Sequence, residues 1–195
     1  MSKTQLQKSI KFSLSIAVIT FVLAAIFSVV SSSVLSGVSS IIGLVIVFAI
    51  VLLGVVFDML GIAATAADEV PFHAMAAEKV NGAKQAIAIV RNADRFASFC
   101  NDVIGDISGV ISGTASAIVV LQIANGFGHS DGSPFQITLS VILTSLVAAL
   151  TVGGKAVGKF FGIHSSTKII FFAAKVIAIL EDNFKIKILT NKKRK

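Results

Sequence analysis

Residues Asn101 to Val120 read NDVIGDISGVISGTASAIVV. The stretch opens with two acids, Asp102 and Asp106, and runs into an apolar segment carrying Gly105, Gly109 and Gly113. Residues three and four apart are neighbours on a helix surface, so Asp102, Asp106, Gly109 and Gly113 fall on roughly one face. A carboxylate at the edge of a membrane-like helix is costly and marks a functional site by default. Small residues four apart let a second helix approach closely, which predicts dimer packing through Gly105, Gly109 and Gly113.

The rest of the chain shows that this helix belongs in a membrane. Of 195 residues, 55% are hydrophobic and 14% charged, and the mean hydropathy is +0.91, too apolar for a soluble domain. No charged residue lies between Lys11 and Asp58. As one helix this run would be about 70 Å long, against a hydrocarbon core about 30 Å thick. Two spans are therefore expected in it, about Phe12 to Val30 and Ile41 to Leu60, turning within the serine-rich Ser31 to Ser40. Two further uncharged windows, Ile107 to Ser130 and Gly132 to Gly154, each suffice for one span. The reading is an all-α integral membrane protein with four transmembrane helices.

Charge placement orients it. Lys3, Lys8 and Lys11 precede the first span; Lys79, Lys84, Arg91 and Arg95 lie between the second and third; ten basic residues follow from Lys155. With four spans all of them fall on one side, which the positive-inside rule assigns to the cytoplasm. The expectation is a multi-pass protein of the cell membrane with both termini cytoplasmic. The formal charge of +7 is thereby assigned to membrane lipid, with the tail KIKILTNKKRK attracting anionic headgroups. Nucleic acid is not expected as a partner, because no aromatic residue is interleaved with the basic ones after Phe184.

Three parts are expected along the chain. Residues 1–40 are a membrane anchor helix and outer turn, the alternative being a cleaved signal peptide. Residues 41–182 form the transmembrane domain proper, and 183–195 are a basic cytoplasmic tail. Within the middle part, residues 61–100 read as a cytoplasmic helical hairpin. Asp68 and Glu69 before Pro71 start its first helix, Asn81-Gly82 stops it, a second runs about Ala83 to Val90, and Asn92 caps the next. Adjacent Gly153 and Gly154 predict local unwinding at the end of the fourth span. Residues 164–182 then read as a juxtamembrane amphipathic helix with an apolar stripe of Ile169, Ala173, Val176, Ile177 and Leu180.

Ordinary enzyme chemistry has no signature here: there is no G-x-S-x-G, H-E-x-x-H, Walker A or dinucleotide-binding glycine pattern. The chain is not read as an enzyme. The single cysteine, Cys100, excludes an internal disulfide and is assigned to packing. His73 has no His or Cys nearby to share a metal. Asp58 is either a solvated helix-end charge or a pore-facing ligand. His129 and Asp131 belong to a turn, or else hold an external cation weakly.

Taken in order, these parts resemble the transmembrane domain of the CNNM/CorC (CorB-type) magnesium transporters over about Ile41 to Leu180. Leu60 to Thr65 (LGIAAT) stands where that family has a small-residue and glutamate motif. Gly105-Asp106 matches its Gly-Asn pair, and Gly154, Lys155, Gly158 and Lys159 stand where it has Gly-Glu followed by Pro-Lys. The resemblance implies a magnesium or other divalent cation held between the spans of a homodimer. Asp106 would be the main ligand, Asp102 would draw ions in, and Ser108 or Ser112 would lend oxygens. Gly153 and Gly154 would move during gating. Lys155 and Lys159 replace the family's ionic pattern. With Lys155 in place of a glutamate and Asp106 in place of an asparagine, the ammonium either snorkels to the cytoplasmic surface or reaches Asp106 and stands where the metal would. The family's paired CBS domains have no counterpart after Leu180, so a separate CBS-domain protein is the corresponding partner. Two functions follow: a divergent divalent-cation transporter, or a non-transporting scaffold or regulatory subunit in which Lys155 replaces the cation. A small holin-like pore fits the size and tail but leaves the hairpin unexplained.

Overall fold

A computed structural model of the chain describes residues 3–184. All regular structure among them is helical: α1 (Lys3–Ser36), α2 (Ser40–Ala66), α3 (Val70–Ala77), α4 (Ala83–Arg91), α5 (Ala93–Ser98), a π-helix (Phe99–Gly105), α6 (Asp106–Gly126), α7 (Pro134–His164) and α8 (Ser166–Phe184). Four stretches are long and apolar enough to cross a membrane: Ile10–Ser36, Ser40–Ala66, Ala93–Gly126 and Pro134–His164. The chain is thus compatible with a multi-pass membrane protein. The tail expected at 183–195 lies outside the described residues from 185 on.

Each span is longer than the sequence predicts, and the reasons are local. Serines do not end α1, because a hydroxyl can bond back to its own helix, as Ser36 Oγ does to Ser33 O at 3.0 Å; the helix stops only at Gly37. The break expected at Gly153-Gly154 is absent, and α7 runs unbroken to His164. In an apolar medium an opened helical hydrogen bond has no water to replace it, which outweighs the roughly 1 kcal/mol by which glycine disfavours a helix.

Two compact units are built from interleaved stretches, the first from residues up to Val55 with Asp102–Gly154, the second from Val56–Asn101 with Lys155 onward. In the first unit α6 is the central helix. Leu35 of α1, Val47 and Val51 of α2, Ala115, Val119 and Val120 of α6, and Leu143 and Val147 of α7 form one core. Val103, Ile107 and Ile111 form another against Ile16, Leu23 and Ala24 of α1. Half of the most apolar window of the third span is buried, and none of that of the first.

Lipid is as apolar as leucine, so close packing rather than water exclusion must hold such helices together. Glycine provides it. A methyl added at Gly54 would meet Ser108 Cβ at 2.9 Å and Gly105 O at 3.4 Å; one at Gly43 would meet Val119 Cγ2 at 2.8 Å. The hydroxyls brought inside bond to their own helix, Ser112 Oγ to Gly109 O at 2.9 Å and Ser116 Oγ to Ser112 O at 2.6 Å. Gln122 Nε2 of α6 donates to Leu35 O of α1 at 2.7 Å, a bond between helices.

In the second unit α3, α4 and α8 share a core of Phe72, Ala86, Ile87, Ile89, Ile170 and Ala174 with Ala63 and Ala64 of α2. Pro71 stands in the first turn of α3 as expected. Its end does not: α3 stops at Ala77, Lys79 takes a left-handed φ of 59°, and Gly82, with φ 89°, opens α4 instead. Gly82 also has to be glycine because the Lys175 backbone passes where its Cβ would be, at 3.1 Å. Asn92 precedes α5, but its amide donates to Ala88 O at 2.8 Å rather than capping.

Gly54→Ala should lower stability by about 1–3 kcal/mol, the usual cost of overpacking. Gly109→Ala, with nothing within 4 Å of its added methyl, should leave stability unchanged or raise it slightly. Thermal unfolding of the two variants in one detergent checks the contrast.

Candidate functional site

The third span does not enter as a plain α-helix. Between α5 and α6 the seven residues Phe99–Gly105 are π-helical, with i→i+5 hydrogen bonds that insert an extra residue into the turn, a feature common at functional sites. Below and above it the side chains sort into two sides. Asp102, Asp106, Gly113 and Thr114 are exposed and Gly109 is half-buried, and a Cβ at Gly109 or Gly113 would meet nothing within 4 Å. Gly105, Ser108, Ser112 and Ser116 are buried.

This division corrects the expected site in two respects. Gly105 does not belong with Gly109 and Gly113 on an open seam, since its carbonyl lies against Gly54 of its own chain. Ser108 and Ser112 are 5% and 1% exposed, unlike Asp102 and Asp106, which are exposed. What the structure brings together is Asp102, Asp106, Gly109 and Gly113.

A second polar feature lies at the start of the second unit. Asp58 of α2 and Lys155 of α7 form an ion pair, Nζ to Oδ1 3.6 Å, with side chains 16% and 26% exposed. A charge inside an apolar span is expensive alone, and here each has the other as a partner. The sequence reading directed Lys155 to Asp106; Asp58 is a partner it did not assign. The signal was present, because Asp58 is the acid that ends the long charge-free run. Lys159, one turn further on α7, is exposed, Gly153 is open, and Gly154 sits where a Cβ would meet Val55 Cγ2 at 2.8 Å.

Near this pair on α2, Gly61 is covered by the side-chain amide of Asn101 from the π-helix, which a methyl at Gly61 would overlap. Asn101 Oδ1 is buried and has no hydrogen-bond partner among the described residues. A buried amide oxygen without a partner is unusual, and Asn101 was not singled out from sequence. Cys100 beside it is buried and free, as expected of a packing residue.

The expected hairpin carries a third cluster. Glu69 Oε1 accepts from Arg91 Nε at 2.5 Å and lies 2.7 Å from His73 Nε2, tying α3 to α4. The hydrogen bond from His73, followed by that from Arg91 and its charge, holds the Glu69 carboxyl below its ordinary range. His129 in the turn between α6 and α7 stacks on Phe135, centroids 4.4 Å apart. Among the described residues no three His, Cys, Asp or Glu side chains converge as a metal site.

Two outcomes are expected. A depressed carboxyl adds stability that is full above the ordinary glutamate range and is lost as pH falls through the lowered value, so the α3–α4 tie should loosen only once pH falls below the ordinary glutamate range. In Glu69→Gln that acid-dependent step, read as protease susceptibility between α3 and α4, should vanish. Lys155→Met should cost about 2 kcal/mol, between the small worth of exposed pairs and the 3–5 kcal/mol of fully buried ones. Asp58→Asn made in that background should cost much less than Asp58→Asn alone, as a double-mutant cycle of unfolding would show. No family model matches this chain, and no curated protein or solved structure matches it.

Proposed function

We propose that this is a divergent magnesium or divalent-cation transporter-like protein of the CNNM/CorC type. It works as a homodimer in the cell membrane, with both termini cytoplasmic. The observation that carries the reading is the open seam of α6, where Asp102 and Asp106 stand beside Gly109 and Gly113, with room for another helix. Magnesium usually takes one or two carboxylates and keeps several waters. Two exposed carboxylates on a helix face that otherwise presents the small residues Gly109 and Gly113 suit such an ion better than a closed cage does. A second copy across the seam would double the carboxylates and exclude bulk water. In this reading α3 and α4 are the cytoplasmic hairpin, α8 is the juxtamembrane helix, and a separate CBS-domain protein is the partner.

The ion pair of Lys155 with Asp58 favours a second reading, a scaffold or regulatory subunit that kept the fold. An ammonium on a flexible stem supplies one positive charge where a mobile cation would otherwise be needed, and it does not leave.

Calorimetry of magnesium binding to the detergent-purified protein separates the two. Under the transporter reading the native chain binds saturably and Asp106→Asn lowers affinity at least tenfold, the loss of one charged ligand being worth more than about 1.4 kcal/mol. Under the scaffold reading the native chain does not bind, and Lys155→Glu does. Absence of binding in both proteins removes magnesium from the account.

A further inference from the structure

α8 is apolar on two sides, and only one of them is covered. Ile170, Ala174 and Ala178 are at most 2% exposed and pack toward α4, and Gln85 Nε2 of α4 donates to Glu181 at 2.9 Å. The stripe expected from sequence is therefore partly an inward one, with Ala173 buried and Ile169 and Ile177 half-buried. The outward side is a different set: Phe172, Val176 and Ile179, at 70%, 43% and 54% exposure, spaced four and three apart as one stripe. Lys168 leads into that stripe and Lys175 flanks it, both exposed. Lys175 Nζ lies 4.7 Å from the Phe171 ring centroid, its stem along apolar surface and its charge at the rim, as snorkelling lysines are placed.

We infer that this outward face of α8 docks on an anionic lipid surface and, through its inward face, secures α4 there. Three observations select lipid as the occupant. Only Ser165 separates α7 from α8, and Val157, Phe160, Phe161 and Ile163 on the last turns of α7 are exposed as well, so exposed apolar residues stand on both sides of that junction, next to a helix long and apolar enough to span a membrane. Lys168 and Lys175 border the apolar stripe, the arrangement by which interfacial helices bind acidic headgroups. And the chain beyond α8 adds Lys185, Lys187, Lys192, Lys193, Arg194 and Lys195 in sequence, each basic residue near such a surface strengthening attraction. The acids Glu181 and Asp182 sit at the far end of α8, and Glu181 is engaged by Gln85. This goes beyond the ion-binding proposal and does not depend on it.

The full-length protein with Phe172→Cys, labelled with an environment-sensitive dye, is placed in nanodiscs of phosphatidylcholine alone or mixed with phosphatidylglycerol; buried Cys100 is shielded from the label. In the anionic discs, nitroxide-bearing lipid should quench the dye severalfold more than in phosphatidylcholine, and aqueous iodide severalfold less. Adding Lys168→Gln and Lys175→Gln should return the anionic-disc signal to the phosphatidylcholine level. Changing lipid on one labelled protein needs no further substitution, so a folding defect in the lysine variant cannot hide the result. Equal nitroxide quenching in both lipids overturns the anionic preference. Iodide quenching in both, or protection from both quenchers, overturns lipid as the occupant and leaves solvent or another protein surface in its place.

Discussion

Gly54 sets the distance between α2 and α6 in the first unit. Its missing side chain leaves room for Ser108 Cβ and for the carbonyl of Gly105, and any larger residue would separate the helices by the thickness of a methyl or more. In water such a gap would be opposed by the cost of wetting it. In lipid that driving force is weak, and contact between closely fitted surfaces is what remains. The cores around Val47, Val51, Val119 and Val120 form because that separation is short. The two sides of α6 are unlike for the same reason: the side against Gly54 is filled and carries serines, while the other is more exposed and carries the acids.

Polar atoms inside this packing are handled in two ways. Ser112 and Ser116 turn their hydroxyls onto their own helix, which settles each donor without tying it to another element. Asp58 and Lys155 are settled across helices, α2 with α7. Such a pair adds little net stability when its desolvation is counted, but each member makes the other tolerable, so neither can change independently. Asn101 follows neither pattern, since its oxygen is buried without a partner among the described residues, and its amide lies against Gly61.

The spans were legible because charge avoidance is a long-range property of the sequence: no folding detail is needed to see that the run from Lys11 to Asp58 must cross twice. Asp102, Asp106, Gly109 and Gly113 on one side of a helix were legible from spacing. Gly105 was assigned to the wrong side because its neighbour is Gly54, and no periodicity within α6 reveals what stands opposite. The π-helix was hidden for a similar reason, as an extra residue in a turn leaves no compositional mark. The two-sided character of α8 was half visible, since its apolar residues could be counted but not divided between α4 and the surroundings. The glycine pair of α7 was read as a break because adjacent glycines permit unwinding, but permission is not a driving force, and α7 continues through them to His164.

The bond from Gln122 to the carbonyl of Leu35 joins residues separated by 87 positions, and that distance is also a delay. At 5–20 residues per second of synthesis, the end of α1 is made roughly 5 to 20 seconds before the side chain that completes it. During that interval α1 exists without the helix it later leans on. Phe21, Ile26, Phe27 and Val30 on its exposed surface are side chains that a lipid surrounding would tolerate: built this way, α1 is a passenger that can wait, and α6 arrives to find its partner already in place.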